Sequence, residues 1–237
     1  MRRNRWILPA GGLASLLVLA APLGAGTGAI PGGNLVQNPG AEGSPGSETN
    51  VVVPIAGWRT TGAMTAWRYG PGDRPDTAFA ASISGGVNFF SGGNGGIAGT
   101  PTATQSVDVS AAAAEIDAGS VAATLSAFMG GYTVAEDLPQ VDAVFYDAGT
   151  TRLGALRIGP VNRDDRNRLT TLLRRSAVAN VPKTTRRIDV VFSVTVDNQG
   201  KNHAFVDNIC SPWRSRSPAP ERRRSTSSAR ERRSSPP

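Results

Sequence analysis

Two stretches of the chain alternate apolar and polar residues with period two. In RRIDVVFSVTVD, Ile188, Val190, Phe192, Val194 and Val196 share one face, and Asp189, Val191, Ser193 and Thr195 share the other. QVDAVFYDAG sets Val141, Ala143 and Phe145 against Asp142, Val144 and Tyr146 before Gly149 closes the run. Such alternation, rich in β-branched residues and ended by turn formers, predicts strands rather than helices. TATQSVDV (102–109), VAATLSAFM (121–129), RLGALRI (152–158), RLTTLLRR (168–175) and HAFVDNI (203–209) are further strand candidates. Glycine and proline punctuate the whole chain, and AAAAEI (111–116) has room for only a turn or two of helix. About nine or ten short strands predict an all-β antiparallel β-sandwich, since chains of this kind dispose of strand edges by stacking two sheets.

The ends read differently. Arg2, Arg3 and Arg5 precede the apolar ILPAGGLASLLVLAAPLG, and Thr27 and Ala29 stand at the −3 and −1 positions of a cleavage site. This is the order of a secretory signal peptide over 1–29. Gly11, Gly12 and Pro22 interrupt a segment already short for a membrane span. From Ser211 to Pro237 the chain is Arg, Ser and Pro with little to bury, which predicts a disordered tail. Two readings of that tail stand: a basic arm for anionic polymers, or the product of a shifted reading frame.

Charge follows this division. The chain carries 25 basic and 18 acidic residues, a net +7. Three arginines lie in 1–29, and eight arginines with Glu221 and Glu231 lie in 211–237, leaving 14 basic and 16 acidic residues between them. The sandwich domain, 30–210, thus has no basic excess, which argues against a nucleic-acid-binding surface. Cys210 is the sole cysteine, so the domain has no internal disulfide or thiolate zinc cluster and must hold by burial, alone or with a metal ion.

SGGVNFFSGGNGGIAG (84–99) reads as a strand, VNFF, followed either by a plain surface loop or by a loop beside a ligand site. GGNGG lacks the Lys-Ser/Thr of a phosphate cradle. Catalysis finds little footing: His203 is the only histidine, and no G-x-S-x-G elbow accompanies it. The adjacent pair Asp164-Asp165, flanked by Arg163 and Arg166, reads as a solvated, salt-bridged loop rather than two acids facing across a cleft.

NLVQNPGAE (34–42) followed by Gly57-Trp58, ATQSVDVS, and NHAFVDNI near the other end resembles, over roughly 34–209, the galactose-binding-like jelly-roll domains of secreted bacterial carbohydrate-binding modules. The resemblance implies a jelly-roll fold and a structural calcium held by Glu42 and Asp207, with Asn38 as a further oxygen donor. Calcium takes six to eight oxygens, and a Gly- and Pro-rich loop can turn carbonyls inward to help supply them. Trp67, Tyr69, Phe90 and Tyr132 are the candidate aromatic platforms for a glycan, whereas Trp58, at a strand start, is expected in the core. The expectation is a secreted, non-catalytic protein that binds an oligo- or polysaccharide. The rival expectations are a structural or adhesive surface protein, and an orphaned accessory domain of a glycoside hydrolase.

Overall fold

The computed structural model describes residues 32–49, 51–93, 100–196 and 202–215. The signal segment with Thr27 and Ala29, most of the GGNGGIAG stretch and the tail beyond Ser215 lie outside the described residues. Eleven strands and two short helices follow one another: β1 (Arg59–Thr61), β2 (Thr65–Arg68), α1 (Thr77–Ser82), β3 (Asn88–Ser91), β4 (Thr102–Asp108), α2 (Ala113–Asp117), β5 (Val121–Gly131), β6 (Leu138–Tyr146), β7 (Arg152–Ile158), β8 (Thr171–Asn180), β9 (Arg187–Thr195), β10 (Ala204–Cys210) and β11 (Trp213–Ser215). They form an antiparallel β-sandwich. One sheet is ordered β1-β4-β9-β6-β7, and the other contains β11, β5, β10, β3 and β2 with β8 on β5. Among the described residues no helix is long and apolar enough to cross a membrane.

The period-two alternation sorts the faces as the sequence predicts. Ile188, Val190, Phe192 and Val194 of β9 and Val141, Ala143 and Phe145 of β6 enter one core with Val121, Ala123, Leu125, Ala127 and Met129 of β5. Trp58 joins them, edge-on to Phe90 with ring centroids 5.0 Å apart. The polar partners of β6 and β9 face outward.

The second sheet is covered on both faces. Consecutive Phe89 and Phe90 are both fully buried, Phe90 in the main core and Phe89 in a second cluster with Trp67, Tyr69, Leu172 and Phe205. Ala80 of α1 packs into that second cluster, with Phe79 and Ile83 at its margin. Asp76 caps α1 by accepting from the Phe79 amide at 2.7 Å. No period-two pattern announces this helix, because its six residues are too few to show one.

The sandwich does not stop at Cys210. Beyond a register shift between Asp207 and Cys210, β11 continues along β5 in the register Cys210 has adopted, Cys210 opposite Ser126 and Trp213 opposite Ala123. Trp213 is buried in the core. Residues 211–215 therefore belong to the domain, and the disordered tail read from Ser211 begins too early. The Arg/Ser/Pro composition hid a strand whose one large apolar residue is its anchor.

Candidate functional site

The N-terminal segment lies along the last strands. Asn34 bridges to Pro212; its Nδ2 donates to the Ile209 carbonyl at 2.9 Å, and its Oδ1 accepts from the Ser211 amide at 2.8 Å. The Ile209 amide donates to the Pro39 carbonyl at 3.0 Å. Residues more than 170 apart in sequence are thereby joined before any metal is considered.

This seam carries the carboxylates of Glu42 and Asp207. Asn208 has a left-handed backbone (φ 51°) at the register shift, so the strand kinks there. A bulge of this kind re-aims the adjoining side chains. The Asp207 side chain is fully buried, accepting from the Tyr69 hydroxyl at 2.6 Å and from the Asn208 amide at 2.6 Å. Glu42 accepts from the Val87 amide at 3.0 and 3.1 Å and from the Asn88 amide at 2.8 Å. Glycines make the convergence possible. A Cβ on Gly40 would stand 2.8 Å from Asp207 Oδ1 and 3.8 Å from Glu42 Cγ. One on Gly85 would meet Asp207 Oδ2 at 2.6 Å, and one on Gly86, whose φ is +68°, would meet the Glu42 carboxyl carbon at 2.5 Å. Both acids thus close on one glycine-lined spot.

The electrostatics of that spot are unfavourable without a cation. Burial pushes the Asp207 carboxyl up to about 8, and the negative charge of Glu42 adds to the rise, against the Tyr69 and Asn208 hydrogen bonds that lower it. Burial, with the charge and hydrogen bond of Asp207, likewise drives the Tyr69 phenol upward. A second carboxylate near a buried one stabilises the protonated form unless a metal neutralises the pair. The residues fit a hard divalent ion. Glu42 and Asp207 supply anionic oxygens, and Asn208 Oδ1 lies 3.7 Å from the same Gly40 position. Among the described residues no three His, Cys, Asp or Glu side chains converge, so further ligands would be backbone or amide oxygens.

Asn38 does a different job from the one expected. Its Oδ1 accepts from the Gly43 amide and its Nδ2 donates to the Ala56 carbonyl, both at 2.8 Å. It braces the loop that carries Glu42, while the Asn208 side-chain amide donates to the Ile83 carbonyl at 3.0 Å.

The expected sugar platforms are also displaced. Trp67 is 3% exposed, Tyr69 6% and Phe90 0%, so none presents a ring face to a ligand. Trp67 packs against Phe89 and Phe205 with the Arg74 guanidinium over it, Tyr69 reaches Asp207, and Phe90 lies between Trp58 and Phe192. Tyr132 is half-buried and stacks on His203 at 5.1 Å, while His203 also pairs with Asp73 at 3.3 Å. Trp67 and Tyr69 are taken up by the cluster over the second sheet, Tyr132 packs at its margin, and Phe90 goes to the main core. Arg166 departs similarly: it is buried and donates to the carbonyls of Gly131, Leu169 and Ala135, while Arg163 pairs with Glu136 and Arg168 with Asp164.

A different surface carries an ordered array of polar side chains. The outer face of the first sheet carries Gln140, Asp142 and Tyr146 on β6, Arg157 on β7, Arg187 and Asp189 on β9, and Ser106 on β4. Asp142 accepts from Gln140 and Arg157 at 2.7 Å each, and Ser106 donates to Asp189 at 2.7 Å. At one end of this face lies a groove of about 420 Å³ lined by Ser106, Asp108, Ser110, Asp147, Ala148, Arg186 and Arg187. The Arg187 guanidinium lies over the Tyr146 ring, 4.4 Å from its centroid, and pairs with Asp189 at 3.2 Å. Asp147 Oδ1 accepts from the Thr151 amide at 2.7 Å, and Arg186 pairs with Asp117 at 2.6 Å. Asp108 is held below the usual carboxylate range by the Ser110 hydroxyl and amide. Acceptors and donors therefore surround one open cleft formed by strand ends and the loops that adjoin them. The sequence signal was present: Tyr146 falls on the polar side of QVDAVFYD, where an aromatic has no core to fill.

No family model matches the chain, and no curated protein does. Among solved structures, the chain is similar to a cyclase from Fischerella sp. TAU, at 12% identity and a TM-score of 0.52 over 78% of this chain and 98% of that one. It is similar also to a family 16 carbohydrate binding module, at 16% identity and a TM-score of 0.45 over 75% of this chain and 99% of that one. A third similarity is to the enzymatically active domain of tailspike protein 4 of bacteriophage CBA120, at 15% identity and a TM-score of 0.45, covering 76% of this chain but 21% of that one. Identities this low speak for the β-sandwich fold alone.

Proposed function

We propose that this chain is an exported, non-catalytic carbohydrate-binding protein whose jelly roll is closed by a calcium ion and whose saccharide lies in the groove lined by Asp108, Asp147 and Arg187. The observation that carries the reading is the groove itself. It sets carboxylate, guanidinium and hydroxyl groups around about 420 Å³ at one end of an ordered polar sheet face. Vicinal sugar hydroxyls both donate and accept, so a site that offers acceptors and donors in turn suits them, and charged partners strengthen such bonds. Asp108, held below the usual carboxylate range by the Ser110 hydroxyl and amide, offers the groove an anionic acceptor.

Calcium enters as a structural partner. Glu42 and Asp207 would hold it, and Gly40, Gly85 and Gly86 leave the room beside their carboxylates. When bound, the ion would supply positive charge beside the buried Asp207 and the exposed Glu42; Tyr69 orients one Asp207 oxygen, and the Val87 and Asn88 amides fix Glu42.

A panel of neutral oligosaccharides, cellohexaose and xylohexaose among them, tests the saccharide claim by calorimetric titration. Wild type is expected to bind at least one, and Arg187→Ala and Asp147→Ala are each expected to weaken that binding about tenfold, the scale of a lost charged hydrogen bond. Silence across the panel contradicts the function. Undiminished binding by both variants contradicts the groove.

A further inference from the structure

We infer that two copies of this chain pair through the free edge of β8 and extend the second sheet across a two-fold axis. Three features of the β7–β8 side of the sandwich lead there. The first is the edge. Strand β8 pairs with β5 through ten consecutive residues, Thr171 to Asn180, without a register shift, and among the described residues it has no strand on its other side. The remaining strands of this sheet's periphery are short, four residues in β2 and three in β11. A long, regular edge presents a row of unpaired amides and carbonyls, and it invites another strand unless proline, a bulge or inward charge blocks it. Residues 176–180 (SAVAN) contain none of these blocks, and Arg175, the one charge on the inward side of β8, pairs with Asp165 at 3.9 Å.

The second feature is an unfinished core. The apolar residues that pack on the main core yet stay partly exposed include Leu153 of β7 and Leu173, Ala177 and Ala179 of β8. These four lie on the same side of the sandwich, where β7 and β8 end their sheets. On the solvent face of β8, Val178 is 61% exposed. An added strand would complete this cover, as the inner strands cover one another.

The third feature selects a second copy as the occupant. An antiparallel β8–β8 pair centred on Ala177 sets Ser176 opposite Val178, Arg175 opposite Ala179 and Arg174 opposite Asn180. No arginine then faces an arginine, and the small residues at the centre permit close approach of the two backbones. Like charges directly opposite would oppose pairing, and this register avoids them. The edge is thus complementary to itself, the requirement of a two-fold interface.

Sedimentation velocity of the full chain over a range of micromolar concentrations tests the inference, with Val178→Lys as the variant. Residue 178 is exposed in the single copy, so lysine there leaves the fold and its melting temperature unchanged. In the pair it places two additional cations at the seam, on the face that carries Arg174. A concentration-dependent dimer is expected for wild type, with dissociation about tenfold easier in the variant. Hydrogen exchange supplies a second readout: amides of 171–180 should gain protection as concentration rises. Wild type that stays monomeric, with no gain of β8 protection as concentration rises, overturns the inference, and so does a dimer that Val178→Lys leaves intact.

Discussion

Asp207 is a buried acid whose folded-state pKa is raised to about 8 from an unfolded value near 4, and this sets its own test. In that window the folded chain binds more protons than the unfolded one, so without metal its stabilising contribution is full below about pH 4 and is lost as pH rises towards 8. Asp207→Asn keeps the shape and removes the ionisation. In chelator, the asparagine variant should show a flatter stability profile between pH 4 and 8 and should exceed wild type at the upper end, measured by urea unfolding. With calcium added, the order should reverse. A wild-type profile in chelator that is flat, or that rises with pH across this window, contradicts the assignment. The Glu42–Asp207 pairing was legible only as a resemblance between the two ends of the chain. The roles of Tyr69 and the three glycines were not, because they depend on contacts between segments far apart in sequence.

The strands in the middle of the chain were legible because alternation reports directly on which face is buried: β4, β6, β7 and β9 fall where the pattern puts them. Three kinds of element escaped it. The strands β1 and β11 are three residues long, too short for a period to show. The strand β3 is buried on both faces, so Phe89 and Phe90 do not alternate with polar residues, and VNFF rather than a period marks it as a strand. The 168–175 run begins as turns, and β8 starts only at Thr171. The boundary at Ser211 is the costliest of these misreadings, and Trp213 decides it. If β11 seals the core, Trp213→Ala should destabilise the chain by about 3–5 kcal/mol, the usual range for removing a buried tryptophan. A change below ~1 kcal/mol in denaturant unfolding would return residues 211–215 to the tail, since surface substitutions away from special features stay that small.

At the scale of the whole molecule, the fold is a sandwich whose N-terminal segment is laced to its last strand by Asn34 and Pro39, with two carboxylates set beside that lacing. Chains without disulfides close such seams by burial and hydrogen bonds, and a shared ion adds a tie between distant segments that disappears on unfolding. The groove lies on the other sheet, so under the proposed function an ion would tie the seam while a saccharide would use a separate face. Calorimetric titration of calcium into the chelator-treated chain at pH 7, repeated in buffers of different ionisation enthalpy, tests the seam most directly. One ion should bind per chain and release close to one proton, because Asp207 is mostly protonated there without metal, and the release should vanish above about pH 9. Absence of binding heat, or binding that Glu42→Ala and Asp207→Asn both leave unchanged, would contradict the account.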